Sequence, residues 1–217
     1  MIKIIAEVGC NYNTLEEAFQ FIEESAKLNL FACKFQIFNF DLIRDHPQRE
    51  FLESIMIDKK RAIMLLHYGK DVGIPVFFSV MYRAAFSWLR ELDPLYYKIR
   101  YADRFDEDIL WYSLHSGKPV FISYGYNEQM IELPNIIKLF CSPIYPSKLT
   151  DYRFSIRYGY EPRYDGLSNH VGLELLKLHV DYGKYEYHEV HCKLDNTEPL
   201  EDAWSVSFSE LRKVLNK

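Results

Sequence analysis

Short apolar or alternating runs recur along the chain and are separated by amphipathic segments. Alternation with a period of two indicates strands, and a period near 3.6 indicates helices. Eight strands that alternate with helices predict an α/β fold, a single compact (β/α)8 TIM barrel over residues 1–217. An open doubly wound sheet is the alternative, but no glycine-rich phosphate-binding turn follows a strand. The predicted strands are "IKIIAEV", "FACKFQIF", "PVFFSV", "YYKIRY", "PVFISYG", "IIKLFCS", "YDGLSNH" and "YEYHEVHCKL".

Capping signals mark the predicted helices. The segment "TLEEAFQFIEESAKLN" places Thr14 as its N-cap, with Glu17 three residues later as the capping-box partner. The segments "DKKRAIMLLHYGKDVG" and "FDEDILWYSLHSG" both close on glycine, as helices often do. The connections after strands 5 and 6 are short or poorly patterned, so we expect a trimmed helix there.

The last predicted strand, residues 185–194, contains two histidines three positions apart, His188 and His191. On a helix such residues share a face, whereas in a strand they point to opposite faces. The apolar Val190 and Cys192 alternate with polar residues, which indicates a strand. We therefore expect His188 to face the surrounding helices and His191 to face the barrel interior.

Parity along the other strands assigns many polar side chains to the interior, if apolar positions are taken to face the helices. A merely structural interior prefers bulky branched side chains, and buried charges without a role are costly. The set therefore predicts an active site at the barrel mouth. Its members are Glu7, Lys34, Gln36, Ser79, Lys98, Arg100, Ser123, Lys138, Ser142, Ser168, His170, Glu189, His191 and Lys193.

Two of these side chains suit a metal ion. His170 ends strand 7 and His191 lies on the neighbouring strand 8, so both can reach one ion. Two imidazoles together with a carboxylate and water suit a divalent catalytic ion, and the lysines and hydroxyls suit phosphate and carboxylate groups. The alternative is a pair of neutral histidines hydrogen-bonded to Glu7 and Glu189. The pattern favours metal-assisted chemistry on a small anion.

The composition narrows the range of expected binding partners. The net charge is −5, which gives no indication of a nucleic-acid surface. No apolar run reaches membrane-spanning length and the start lacks a signal-peptide layout, so we expect a cytoplasmic protein without membrane contact. The four cysteines lack metal-binding spacing and are expected to be free buried thiols. They are Cys10, Cys33, Cys141 and Cys192.

The same segments resemble motifs of the sialic acid synthases (N-acetylneuraminate synthases). The stretch "IIAEVGCNYN" resembles I-I-A-E-I-G-x-N-H-N-G, "ACKFQIF" resembles V-K-F-Q-x-F, and "YYKIRYAD" resembles Y-K-I-x-S-x-E. Likewise "GLSNHV" resembles G-x-S-D-H-T, and "HEVHCKLD" resembles I-E-K-H-F-T-L-D. In addition, "GKPVFISYGY" resembles G-K-P-x-I-x-S-T-G-M, and "LFCSPIYP" resembles L-H-C-x-x-x-Y-P. Seven such segments, in the family's order over nearly the whole chain, make a specific signal.

The resemblance implies condensation of phosphoenolpyruvate with the aldehyde of an N-acylated amino sugar, giving a sialic-acid-like 2-keto sugar acid and phosphate. It implies that His170 and His191 hold a divalent metal, most often Mn²⁺, with Mg²⁺ or Co²⁺ possible. Glu7, Lys98 and Glu189 are the expected catalytic residues. The expected substrate-binding residues are Lys34, Gln36, Ser79, Arg100, Ser123, Ser142, Tyr145, Ser168 and Lys193.

The chain also departs from the family pattern. The C-terminal antifreeze-like domain that family members carry is not in this sequence, so a homodimer or a separate lid-supplying chain is an expected partner. Either Glu201 or Asp202 matches the family's sugar-side acid. Two alternatives use the same barrel: a sugar- or metabolite-binding protein without turnover, and a metal-dependent aldolase or isomerase. The other substitutions fall at Tyr12, Val80, Arg100, Tyr101, Asp103, Phe140 and Asn169.

Overall fold

The computed structural model describes residues 2–152 and 163–216. Eight parallel strands close into a barrel, because each strand pairs with the next in chain order and the eighth pairs with the first. The (β/α)8 prediction is confirmed and the open sheet is excluded. The strands are β1 Lys3–Gly9, β2 Ala32–Ile37, β3 Val76–Val80, β4 Tyr97–Ile99, β5 Val120–Tyr124, β6 Ile136–Cys141, β7 Gly166–Asn169 and β8 Tyr187–Lys193. A short outer strand, β9 Val206–Ser207, pairs with the end of β8.

The three segments with predicted capping signals form helices, as expected. Thr14 caps the first helix by accepting a hydrogen bond from the Glu17 N–H at 3.1 Å. In a capping box the Glu17 carboxylate would accept from the Thr14 N–H. It accepts instead from the Asn13 N–H. The helices are α1 Leu15–Lys27, α2 Phe40–Ile43, α3 Arg49–Ser54, α4 Lys59–Val72, α5 Phe86–Leu92, α6 Glu107–Leu114, α7 Leu173–Tyr182 and α8 Phe208–Val214.

The connection between β5 and β6 lacks the trimmed helix that we expected. Residues 125–135 form turns and extended segments. The described part of the β6–β7 connection contains a 3₁₀ turn at Leu149–Tyr152. The β5–β6 connection therefore borders the barrel mouth with irregular backbone rather than with a helix. Residues 153–162 of the β6–β7 connection, where a trimmed helix was also expected, lie outside the described residues.

The floor of the barrel interior is an apolar layer, and the next layer up is polar. The floor packs one residue from each of six strands against its neighbours, including the tilted ring pair Phe77–Phe121 at 5.6 Å. Because side chains alternate along a strand, the residue two positions further on faces the same way. The floor consists of Ile5, Ala32, Phe77, Phe121, Leu139 and Tyr187. The polar layer therefore contains Glu7, Lys34, Ser79, Ser123, Cys141 and Glu189.

Strand β6 corrects the parity that we assigned to it. Leu139 belongs to the apolar floor, so Cys141 faces inward and Lys138 faces outward. The Lys138 ammonium pairs with Glu132 on the outer side of the barrel. The assignment was wrong because both faces of β6 are apolar apart from Lys138. Alternation of polar and apolar residues therefore could not tell the inward face from the outward face.

His188 faces the helices, as predicted, and joins a hydrogen-bonded chain there. The Asn169 amide Nδ2 donates to His188 Nε2 at 3.0 Å. His188 Nδ1 therefore carries the proton, and it donates to His179 Nδ1 at 2.7 Å. His179 Nε2 in turn donates to the Tyr185 carbonyl at 3.2 Å. Each ring thus has one assigned neutral tautomer, and together the two rings connect α7 to β8.

Two further expectations concerned the cysteines and membrane-spanning segments. Every one of the four cysteines is a free, buried thiol, as predicted. In the described residues, no helix is both long and apolar enough to cross a membrane.

The histidine pair makes the stability of the fold sensitive to acid. Burial lowers the pKa of His179 to about 4, and burial followed by the neighbouring His179 lowers the pKa of His188 further. An unfolded histidine binds its proton near pH 6.5, so the unfolded state gains protons first as pH falls. We expect the free energy of unfolding to decrease below that pH, by about 2 kcal/mol at about pH 5 from His179 alone.

Urea unfolding at a series of pH values measures this effect. The His179→Gln variant should show a shallower dependence on pH than the unsubstituted protein. The His67→Gln variant, on the exposed side of α4, controls for replacing a histidine outside the network. Parallel pH curves for the unsubstituted protein and His179→Gln would contradict the assignment.

Candidate active site

Four buried charges form a continuous chain across the polar layer. The Glu7 carboxylate contacts the Lys34 ammonium directly. Lys34 Nζ also lies 3.3 Å from Glu189 Oε2, and the other oxygen of Glu189 lies 3.1 Å from Lys98 Nζ. Each of the four residues is at most 3% exposed. Two carboxylates and two ammonium groups balance one another, which is the condition for keeping charges in a barrel interior.

Polar side chains from four strands add hydrogen bonds to these charges. Lys34 Nζ donates to Ser79 Oγ at 3.0 Å, and Lys98 Nζ donates to Ser123 Oγ at 2.5 Å. The Ser168 hydroxyl donates to Glu189 at 2.9 Å, and the Gln36 amide donates to Glu7 at 2.8 Å. The structure therefore brings most of the predicted interior residues into a single network.

The two lysines differ in how firmly they hold a proton. Burial alone would lower the pKa of Lys34, but the Glu189 and Glu7 carboxylates outweigh it and the pKa is raised. Burial lowers the pKa of Lys98, and Glu189 only partly offsets the effect while Lys34 adds to it. The pKa of Glu189 is lowered, since Lys34 and Lys98 overcome the effect of burial. Lys98 is thus the cation that gives up its proton more readily.

His170 presents one ring nitrogen to the barrel mouth. Its Nδ1 donates to the Ser142 carbonyl at 2.9 Å, so the proton lies on Nδ1 and Nε2 has a lone pair. Burial, reinforced by the nearby His191, lowers the pKa of His170 to about 3. The ring is therefore a neutral imidazole over the whole physiological range, which is the form that binds metals.

His191 is also held through its Nδ1 atom, in this case by a carboxylate. Its Nδ1 lies 3.1 Å from Glu201 Oε2, and Glu201 Oε2 also accepts from the Cys10 N–H at 3.2 Å. Burial would lower the pKa of His191, but the Glu201 carboxylate reverses the shift and raises it. The carboxylate sits directly over Gly9, where φ is +56° and a Cβ would overlap Glu201. Only glycine leaves room for this contact.

The two imidazoles fit a shared divalent ion. Their ring centroids are 5.4 Å apart, and two imidazoles whose nitrogens lie about 2.1 Å from one ion have centroids roughly 5 Å apart. Both Nδ1 atoms are occupied, by a carbonyl and a carboxylate, which is the usual outer support of metal-binding histidines. No cluster of three His, Cys, Asp or Glu side chains suited to a metal occurs in residues 2–152 and 163–216. The remaining positions would therefore belong to water or substrate.

Aromatic rings cover the imidazole pair. The Tyr145 ring lies 3.9 Å from the His170 ring, centroid to centroid. Trp204, in the 3₁₀ turn Asp202–Trp204 that follows β8, lies 5.6 Å from Tyr145 and 6.1 Å from His191. Tyr145 was expected near the substrate, and the structure brings it to this pair.

Three predicted site residues make their contacts outside the charge network. Arg100 forms a two-point ion pair with Asp103, at 2.6 and 3.0 Å. Lys193 pairs with Asp202 at 2.5 Å. Ser142, which follows the end of β6, supports His170 through its carbonyl rather than through its hydroxyl. Their roles in binding substrate stay predictions.

Sequence reasoning missed two features of the site. Cys141 faces the polar layer, although the apolar character of β6 gave no sign of this. Trp204 lies in a loop, where no periodicity assigns a direction to a side chain. Glu201 and Asp202 were left as alternatives, and the structure separates them: Glu201 contacts His191, whereas Asp202 contacts Lys193.

Comparisons with known proteins agree with this geometry. Residues 19–217 match the model of the NeuB family. Pseudaminic acid synthases from two strains of Campylobacter jejuni are 24% identical over 246 residues, which cover 98% of this chain and 71% of each relative. Among solved structures, N-acetylneuraminic acid synthetase from Leptospira borgpetersenii in complex with citrate has a TM-score of 0.82. It is 24% identical and covers 99% of this chain and 81% of that one.

A second structural relative is more distant in sequence. The spore coat polysaccharide biosynthesis protein from Bacillus subtilis has a TM-score of 0.76 at 18% identity, over 99% of this chain and 66% of that one. At these identities the structural matches establish the shared barrel.

Loss of one charge from the buried network should be costly. The Glu189→Gln substitution leaves Lys34 and Lys98 with one carboxylate between them, and breaking a buried pair destabilises by about 3–5 kcal/mol. The Glu186→Gln substitution removes the same group from an exposed pair with Lys3, and should cost less than about 1 kcal/mol. Urea unfolding of both variants measures these losses. Equal losses in the free energy of unfolding would show that burial does not make the Glu189 charge costlier to remove than an exposed one.

Proposed function

Because this chain belongs to the NeuB family, we propose that it condenses phosphoenolpyruvate with the aldehyde of an N-acylated amino sugar. The new bond joins the enol CH₂ carbon to the aldehyde carbon. Water then supplies the oxygen of the new keto group, and the bond between the enol carbon and the phosphate oxygen breaks. The products are a sialic-acid-like 2-keto sugar acid and phosphate. The observation that carries the proposal is a buried lysine–hydroxyl layer directly beside the His170–His191 imidazole pair.

The anionic reactant would bind at the lysine side of the mouth. Lys34 and Lys98 supply charge, and the hydroxyls beside them supply directed donors, as phosphate and carboxylate groups require. Both ammonium groups already contact Glu189, so an incoming anion competes with that carboxylate. An added negative charge raises the proton affinity of Lys98, and the protonated amine then donates to the departing phosphate oxygen.

The aldehyde would bind at the imidazole side. A divalent ion, with manganese the first choice, would be held by Nε2 of His170 and His191 and would polarise the aldehyde oxygen as a Lewis acid. The chain's own contribution is orientation: the Ser142 carbonyl and the Glu201 carboxylate fix both rings. Glu7 and Glu189 lie in the polar layer, where their carboxylates hold the Lys34 and Lys98 ammonium groups in place.

A covering chain would complete the site. Large apolar side chains are exposed around the mouth, after the C-terminal ends of β2, β4, β5 and β6. Exposed apolar clusters of this kind mark surfaces that a partner covers. We propose that another copy of the chain, or a separate lid chain, shields the reaction from water. The exposed residues are Phe40, Leu42, Phe105, Tyr126, Ile144 and Tyr145.

One observation favours a second candidate, a barrel that binds a sugar or metabolite without turnover. Both lysines that would hold the phosphate are neutralised by carboxylates inside the barrel. A charge network that is complete by itself can serve structure alone. A metal-dependent aldolase or isomerase would use the same imidazoles without phosphoenolpyruvate.

Phosphate release distinguishes these functions. The protein is incubated with phosphoenolpyruvate, Mn²⁺ and a panel of N-acylated amino-sugar aldehydes, and free phosphate is measured. We expect release that requires both the aldehyde and the metal. Sugar binding without release would indicate the binding protein, and conversion of sugar without phosphoenolpyruvate would indicate the aldolase or isomerase.

The Lys98→Ala variant serves as the internal control for the anion side. It removes the cation beside Ser123 and leaves the imidazole pair intact, so phosphoenolpyruvate binding should weaken at least tenfold while metal binding persists. Unchanged affinity for phosphoenolpyruvate in this variant would remove Lys98 from the proposed site.

Metal binding should depend on both imidazoles and on Glu201. The His170→Ala and His191→Ala variants should lose most metal affinity, measured by calorimetry with Mn²⁺. The Glu201→Gln variant removes the carboxylate that orients His191 and should weaken binding roughly 10–100-fold, the usual effect of losing such a support. The His67→Ala variant, altered on an exposed helix face, should bind normally. Wild-type affinity in both histidine variants would rule the pair out as ligands.

A further inference from the structure

The indole of Trp204 carries a buried N–H group without an acceptor. Four buried side-chain nitrogen or oxygen atoms in residues 2–152 and 163–216 have no hydrogen-bond partner. Two are glutamate oxygens that face the Lys34 ammonium and are therefore paired ionically. The third is the Ser113 hydroxyl on α6, outside the barrel. Trp204 Nε1 is the one that lies beside the imidazole pair.

An unsatisfied buried donor has a cost and calls for a reason. Leaving such a group without an acceptor costs about 1–3 kcal/mol, and in native proteins it commonly marks a place that a ligand or water fills. Phenylalanine would keep an aromatic ring at this position without that cost, because it lacks the N–H group. The choice of tryptophan at this position therefore points to an acceptor beyond the described residues, such as a bound ligand.

The surroundings of Trp204 restrict the chemistry of that acceptor. Its described ring neighbours are Tyr145 and His191, and its backbone lies against Gly172. The lysines suited to an anion are on β2 and β4, whereas Trp204 follows β8. Aromatic faces together with a single N–H donor suit a neutral ligand with apolar C–H faces and scattered oxygen atoms, which describes a sugar.

We propose that Trp204 binds the sugar aldehyde, with Nε1–H donating to a hydroxyl or N-acyl carbonyl oxygen. The inference rests on the proposed function, since it names a contact for the neutral reactant of that reaction. The Tyr145 and Trp204 rings meet at 68°, so they form two walls of an aromatic corner above the imidazoles. A sugar held there has its aldehyde end toward His170 and His191.

Nuclear magnetic resonance of the indole N–H groups tests the contact directly. The chain contains three tryptophans, so a ¹⁵N-labelled sample gives three indole signals, and Trp→Phe variants assign them. The protein with Mg²⁺ is titrated first with N-acetylmannosamine, then with mannose, which lacks the acylamino group, and separately with phosphoenolpyruvate. Trp88 and Trp111 are internal controls, since both belong to the outer helices α5 and α6.

We expect the Trp204 signal alone to shift on addition of sugar, in the direction of a stronger hydrogen bond. A shift with N-acetylmannosamine but not with mannose identifies the N-acyl carbonyl as acceptor, and equal shifts identify a hydroxyl. A Trp204 signal that moves with phosphoenolpyruvate and not with either sugar overturns the proposal. So does a signal that moves with none of the three.

Kinetics of the Trp204→Phe variant provide the second measurement. Loss of one donor to a neutral acceptor should raise the KM for the sugar roughly tenfold, with little change in the KM for phosphoenolpyruvate. The Trp111→Phe variant should leave both constants unchanged. Phosphate release with an unaltered sugar KM in Trp204→Phe would refute the contact while the synthase stands. Sugar-dependent shifts of the Trp204 signal without any phosphate release would refute the synthase while the contact stands.

Discussion

The buried chain of charges from Glu7 through Lys34 and Glu189 to Lys98 is the constraint on which the rest of the site depends. Removing any one of these groups from water is expensive, and mutual pairing with added hydroxyl donors is what makes their burial tolerable. The pairing crosses four strands, so it requires the register in which β1, β2, β4 and β8 are aligned. The same ion pairs thus position the side chains of the site and join the strands of the closed barrel.

The barrel mouth divides into two halves with different chemistry. The lysines and their hydroxyl partners belong to β2 through β5, and the imidazoles with their aromatic cover belong to β7, β8 and the loops beside them. A reaction between an anion and a neutral aldehyde needs both environments within one mouth. The His170 ring stays neutral because burial and its neighbour His191 oppose its protonation, whereas the Glu201 carboxylate raises the pKa of His191.

Alternation along strands was a reliable guide wherever one face is polar. It assigned Glu7, Lys34 and Lys98 to the interior and His188 to the helix side, as the structure has them. It failed on β6, where both parities are apolar, because a strand buried on both faces carries no contrast for the rule to use. The resemblance to a known family extended the prediction to Tyr145, a loop residue that no periodicity could orient.

The sequence by itself determined the barrel, its eight strands and most of the polar interior, because these follow from local periodicity that each strand carries alone. The tertiary structure decided how the residues support one another. The loop after β8 folds back over Gly9, and only this return places the Glu201 carboxylate on His191 and the Trp204 indole beside Tyr145. The contact of Glu201 with the Cys10 N–H joins residues 191 positions apart, so the return of this loop depends on closure of the barrel rather than on any local pattern.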